Sequence, residues 1–315
     1  MQEGKFTKIL KARKEILGAL EKNKNLATEN LATRHYSSDR VGYGREEKEW
    51  MTYDSLLESF GLTFALSLPI KNKEIEEKGY RASIFTLSKK ENDRILTLAG
   101  EIFRKYIEDT LSQGREKSLT AVEFGGPGSN LFSDFTRGFF RQTIGVCLKD
   151  IRNKNQEERD TKNNHFVVEG DILDVRSDKM LSEIIKKFGA NKTDLIISRM
   201  IAPLHHIDMN PAILDRIIRN WYNILNENGL MFIQFTTNVR QHWNLISNTQ
   251  TEILIEKWSM AIRERFPEID VQTANMGIMR LHKKTGAPEN LPPVPGSPFL
   301  IGPLLQIPFE AQMNA

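Results

Sequence analysis

The 315-residue sequence carries a single cysteine, Cys147, so no disulfide can close within the chain and a thiolate zinc site is out of reach. A reducing, cytoplasmic setting fits that scarcity, and no metal site is expected. Long apolar runs are missing too: nothing approaches the roughly 20 residues that a membrane-spanning helix needs. The opening stretch "MQEGKFTKILKARKEILGALEKNK" interrupts its apolar residues with basic ones, which is wrong for a secretory signal. Phe6, Ile9, Leu10, Ile16, Leu17 and Leu20 instead fall at helical spacing, a stripe suited to docking on the body of the protein. Charge of one sign is also lacking. Charged residues make up 27% of the chain, yet the net charge is only +3, so no field of its own gathers nucleic acid or anionic lipid.

What is present divides the chain into three. Residues 1–117 read as a mainly helical extension. A loop-like segment holding His35 and Tyr36 precedes a short helix over residues 46–60. Ser88 and Glu91 then form a capping-box signature, and Ile95, Leu98, Ala99, Ile102, Tyr106 and Ile107 recur on one face, which predicts a long helix over residues 89–113. From residue 118 to 284, apolar runs alternate with helical patterns. "LTAVEF", "QTIGVCL", "HFVVEGDI", "TDLIISRM" and "LMFIQF" read as strands, with a helix opened by Pro211 before the last of them. "EIDVQTANMGIMRLHKK" reads as a closing hairpin. The fold class expected is α/β, a doubly wound and mostly parallel sheet with an antiparallel C-terminal hairpin. Residues 285–315 are rich in proline and predict an extended tail.

The densest signal is "AVEFGGPGSNLF", where Gly125, Gly126 and Gly128 surround Pro127 directly after the first strand and its acid, Glu123. Ordered glycine costs backbone entropy, so a cluster implies a turn with positive φ or a ligand pressed on bare main chain. Ligands of doubly wound sheets lie beyond the carboxyl ends of the strands at the point where strand order reverses. The position of the cluster favours ligand approach.

"VEFGGPGSNL" resembles the first motif of the class I S-adenosylmethionine-dependent methyltransferases. "TIGVCLKD" is similar to their second strand, "GDILD" to the segment after the third, "DLIISRMIAPLHHI" to the fourth strand and its loop, and "LNENGLMFIQF" to the fifth. The resemblance covers about residues 119–284. It implies S-adenosylmethionine as cofactor, with Glu123 and the main chain of Gly125, Gly126 and Gly128 near its methionine end. Asp171 would meet the adenine amine and Ile172 its face, while Ser198, Arg199 and Met200 would pass beneath the sulfonium. His205 and His206, just beyond the fourth strand, are candidates for a general base, with His35 and Tyr36 as substrate-contacting candidates from the extension. The adenine and glutamine amino-methylating signature is absent after the fourth strand, where "SRMIAP" stands, so a small-molecule acceptor, or a protein side chain, is expected. The N-terminal extension would cap the acceptor and govern its choice. Nothing in the sequence indicates the oligomeric state.

Two departures from the family pattern stand out. Gly125 and Gly126 are adjacent, where a small residue usually separates them. Cys147 occupies the end of the second strand, where the family places an acid that holds the ribose; a thiol is a feeble acceptor beside a carboxylate. Asp150, three residues on, is the nearest replacement. Both departures suit an alternative, a domain that keeps the fold without catalysis and serves as a binding or scaffolding module. A further alternative, a nicotinamide-dependent oxidoreductase, also places a glycine turn after its first strand. Against it stand the missing G-x-G-x-x-G spacing and Asp134, expected in the first turn of the following helix, where it would repel a pyrophosphate.

Overall fold

The computed structural model describes residues 61–65, 67–83, 87–113, 118–147, 150, 152–170, 179–189, 192–198, 211–234, 248–274 and 278–293. The N-terminal stripe and the helix expected over residues 46–60 lie outside them. The elements, in chain order, are α1 (Gly61–Ala65), α2 (Lys73–Ser83), α3 (Lys89–Ser112), β1 (Leu119–Phe124), α4 (Ser129–Ser133), β2 (Phe140–Cys147), α5 (Lys154–Lys162), β3 (His165–Glu169), α6 (Lys179–Lys187), β4 (Thr193–Ser198), α7 (Pro211–Asn223), β5 (Leu225–Gln234), α8 (Asn248–Arg265), β6 (Ile269–Ala274) and β7 (Ile278–Lys283). The seven strands form one sheet in the order β3-β2-β1-β4-β5-β7-β6. Pairing is parallel from β3 through β5, and β7 runs antiparallel to both β5 and β6. This is the doubly wound sheet with a closing hairpin that the alternation of the sequence predicts.

Two apolar layers cover the sheet, and strand alternation decides which residue joins which. Val122, Phe124, Ile144, Val146 and Ile196 face α6, α7 and α8, where Phe124 stacks on Trp221 with ring centroids 4.4 Å apart. Ala121, Leu195, Ile197, Leu230 and Phe232 face α1, α2 and α3. On that side Phe103 meets Phe64 in a stack at 5.2 Å and Phe232 edge-on at 4.9 Å, geometries worth about 1 kcal/mol each beyond simple burial. Buried Arg280 of β7 ties the layers' edge together: its guanidinium donates to the Ser67 carbonyl, the Tyr106 hydroxyl, Asp270 and Gln272. Helices α1, α2 and α3 therefore share a core with the sheet and form one of its two covering layers.

Several boundaries differ from the pattern read in sequence. The capped helix is as expected, with the Ser88 side chain accepting from the Glu91 amide. The stretch after the glycine cluster reads as a helix over residues 131–140, but only the five-residue α4 forms there. Its Phe132, Phe135, Phe139 and Phe140 imitate a helical stripe, but Gly138 takes φ 76° and the rings pack edge to face as an aromatic knot instead. Asp134 consequently sits at the C-cap of α4, not in its first turn. The α5 helix was not expected at all. "NENG", which reads as the close of the helix opened by Pro211, appears as a bulge in β5, because Thr193 pairs with Leu225 while Leu195 pairs with Leu230. The start of the tail is docked: Trp258 donates its indole N–H to the Pro292 carbonyl, Tyr222 its hydroxyl to the Pro288 carbonyl, and Leu291 is buried.

Candidate functional site

Strand order reverses at β1, which pairs with β2 on one side and β4 on the other. The carboxyl ends of β1 and β4 therefore open the crevice that doubly wound sheets use for ligands. The glycine cluster is the first thing the chain builds there. Gly125 takes φ 97°, a left-handed region that side chains disfavour, and its amide donates to the Val146 carbonyl at 2.7 Å. Gly126 bridges the same residue, so the chain folds back over β2. Pro127 then lands on Gly145: a Cβ at Gly145 would come within 2.0 Å of the Pro127 carbonyl oxygen. Gly128, at φ 71°, is the N-cap of α4.

Two buried side chains brace this turn. Glu123, fully buried, lies on the same face as Gly145, and a Cβ on Gly126 would meet its carboxylate at 2.9 Å. The acid and the bare glycine thus fit each other. His165, at the start of β3, meets the Pro127 carbonyl with Nε2 at 2.6 Å and the Thr143 hydroxyl with Nδ1 at 2.7 Å. A carbonyl only accepts, so Nε2 carries the proton and Nδ1 accepts from Thr143. Burial, ahead of all other influences, lowers the His165 pKa to about 4, and the ring is neutral at pH 7.

The other side of the crevice is charged. Cys147 ends β2 in register with Glu169, which ends β3. Burial first, then the Asp150 carboxylate, pushes the thiol up to about 12, so it stays protonated and a poor acceptor. Asp150 donates its amide to Glu169 Oε1 at 2.9 Å. Its carboxylate is clasped by Arg152, Nη2 to Oδ2 at 2.7 Å and Nε to Oδ1 at 3.0 Å. The same guanidinium reaches Asp160 Oδ2 through Nη1 at 2.7 Å, and Ser129 donates to that oxygen at 2.6 Å. Burial opposes the charge on both partners, but the hydrogen bonds outweigh it: Asp150 is held below the usual carboxylate range and Arg152 above its own. The network anchors α5, whose start is fixed by a reciprocal capping box between Asn153 and Gln156.

Ser198 closes the arrangement at the end of β4, beside Phe124 in register; its hydroxyl is buried with no hydrogen-bond partner among the described residues. Of the residues singled out in sequence, Glu123, Gly125, Gly126 and Gly128 thus meet in one turn, Cys147 and Asp150 flank the end of β2, and Ser198 ends β4. Asp171, Ile172, Arg199, Met200, His205, His206, His35 and Tyr36 lie outside the described residues. Arg152, Glu169 and His165 were missed. No sequence motif marks them, although the N-x-x-Q spacing of Asn153 and Gln156 announces the helix that Arg152 precedes. Among the described residues no cluster of His, Cys, Asp or Glu could hold a metal ion, and no helix is long and apolar enough to cross a membrane.

No family model and no curated protein matches the chain. Solved structures that align with it include an rRNA methylase from Streptococcus thermophilus, at 10% identity over 56% of this chain and 94% of that one, with a TM-score of 0.35. The sugar N-methyltransferase KedS8 from Streptoalloteichus aligns at 10% identity over 57% and 86%, with a TM-score of 0.37. The N-methyltransferase NodS from Bradyrhizobium japonicum aligns at 12% identity over 57% and 96%, with a TM-score of 0.33. Likeness at this level leaves the chemistry of the crevice to its own residues.

Proposed function

We propose that the chain is an S-adenosylmethionine-dependent methyltransferase acting on a small-molecule acceptor or, secondarily, on a protein side chain. The observation that carries this reading is the turn at the strand reversal, where glycines at 125, 126 and 128 follow β1 directly, Gly125 is partly exposed and Gly126 packs on the Glu123 carboxylate. Such a cradle suits the amino-acid end of the cofactor. The buried, unsatisfied hydroxyl of Ser198 offers it a further polar contact on the β4 side. In this reading Asp171 and Ile172 take the adenine, and Arg199 and Met200 pass beneath the sulfonium.

The ribose end departs from the family pattern. With Cys147 protonated and Asp150 committed to Arg152, the carboxylate best placed to serve the ribose is Glu169, one strand over from Cys147 and exposed. When bound, the cofactor supplies an already activated methyl group. The protein's task is then to align acceptor and sulfonium and to exclude water, and alignment can supply most of the acceleration. A general base is needed only for an acceptor that must lose a proton, and His205 and His206 are our candidates for it, with His35 and Tyr36 on the acceptor side. Acceptor choice is assigned to residues 1–60. Truncation must stop there because Leu62 and Phe64 of α1 belong to the core, and an unchanged acceptor preference after that truncation would refute the assignment.

The replaced ribose acid favours a second reading, a non-catalytic module with this fold. The oxidoreductase reading loses one objection, since Asp134 does not occupy the first turn of α4, but the dinucleotide spacing is still absent. Calorimetric titration separates all three. Micromolar binding of S-adenosylmethionine and S-adenosylhomocysteine supports the enzyme, binding of NAD or NADP instead supports the oxidoreductase, and silence with all four supports the module.

A further inference from the structure

Between α4, α5 and the amino-terminal half of β2 lies a cavity of about 470 Å3, within the ~300–1,000 Å3 range of small-molecule sites. It shares Ser129, Asp160 and His165 with the network that braces the crevice but extends toward the amino-terminal half of β2, where Thr143 on its wall stands four residues before Cys147, or about 13 Å along the strand. Arg137, Arg141, Arg159 and Lys162 converge on it. Arg159 bonds Asn130 and Asp160, whereas Arg137, Arg141 and Lys162 have no ion-pair partner among the described residues. The one acid on the wall, Asp160, is already answered by Arg152 and Arg159. Four cations around one acid, in a chain whose net charge is only +3, leave a local excess that calls for a mobile anion.

The apolar part of the wall is aromatic. Phe140 is half-buried and held edge-on by Phe132 at 5.9 Å and Phe135 at 5.0 Å, so its ring cannot turn freely. The side-chain amides of Asn163 and Asn164 stand on the rim. A phosphate answers the guanidinium groups with several charge-assisted bonds, and a fixed aromatic ring offers a base a stacking surface.

We propose that this cavity is a second ligand site, one that takes a nucleoside phosphate, with Arg137, Arg141 and Lys162 on the phosphate and Phe140 on the base. The site does not depend on the methyl-transfer reading of the crevice. Its test is calorimetric titration of the full chain with adenosine 5′-monophosphate, inorganic phosphate and a 5′-phosphorylated pentaribonucleotide, each with S-adenosylhomocysteine present in excess. Adenosine monophosphate is expected to bind at least tenfold more tightly than phosphate, and the Arg137→Glu/Arg141→Glu variant to lose at least tenfold in affinity. The Lys154→Glu/Lys186→Glu variant carries the same change in charge on exposed positions off the cavity wall and should lose less than threefold. A pentanucleotide that binds tenfold more tightly still, through the same two arginines, identifies the nucleotide as the end of a strand; equal or weaker binding identifies it as a free metabolite. The proposal is overturned if adenosine monophosphate fails to bind at millimolar concentration, binds no better than phosphate, or is affected equally by both double variants.

Discussion

Where β1 ends, Pro127 rests on bare Gly145 and Gly126 on the Glu123 carboxylate; where β2 ends, Arg152 is clasped between Asp150 and Asp160. One side of the crevice is fixed by sterics and the other by charge. The difference has consequences for what each side tolerates. The contact of Pro127 on Gly145 is between main-chain atoms and cannot relax by rotating a side chain, so it should fail abruptly when a methyl group is added. A buried ion network fails when one member is removed, because the remaining charge is then desolvated without compensation.

The steepest break in that comparison is Gly145→Val. With a Cβ 2.0 Å from the Pro127 carbonyl, the turn or the strand must move, and urea unfolding should show a loss of about 4 kcal/mol. A loss below about 1 kcal/mol would mean that the turn is not held on β2 by this contact. On the charged side, Asp160→Ala takes an acceptor from Arg152 and from Ser129. Arg152 keeps Asp150, so the cost should fall at the low end for buried pairs, about 3 kcal/mol.

His165 spans both sides and sharpens the comparison through pH. Its folded pKa of about 4 lies below the ordinary value of about 6.5, so between these values the unfolded chain binds the proton and the folded one does not. Stability is therefore full above about pH 6.5 and lost as pH falls toward 4, by about 3 kcal/mol in all. His165→Gln should remove that share of the acid sensitivity; equal pH profiles for the two proteins between pH 7 and 4 would contradict the neutral, buried histidine. The smallest effect on stability is expected for Gly126→Ala. The added methyl meets the free end of the Glu123 side chain rather than main chain, so about 1 kcal/mol should suffice to displace it. The displaced acid should nevertheless disturb the turn enough to weaken S-adenosylhomocysteine at least tenfold, or about 1.4 kcal/mol.

The same contrast explains what the sequence discloses. Gly125 and Gly128 are needed for positive φ and Gly145 for a close approach, so backbone geometry writes itself into residue type and the β1 side is legible. The strands are legible because both faces of the sheet are covered and each strand is an apolar run. The β2 side is not. Helix α5 has almost no apolar face and is held by its capping box and by buried Asp160, so hydrophobic periodicity gives no sign of it. Nothing local distinguishes Asp150 and Asp160, both engaged by Arg152, from the exposed Glu157 and Glu158 between them. Phe132, Phe135, Phe139 and Phe140 mislead for the opposite reason, since their spacing is helical while Gly138 ends any helix there.

The central claim is that bare main chain in the turn after β1 receives the amino-acid end of an adenosyl sulfonium. Amide hydrogen exchange of the full chain, with and without saturating S-adenosylhomocysteine, reads those amides directly. The account predicts at least tenfold slower exchange in the peptide spanning residues 124–129, with weaker protection around residues 147–150. Protection confined to other segments, or no change at any amide, would contradict it.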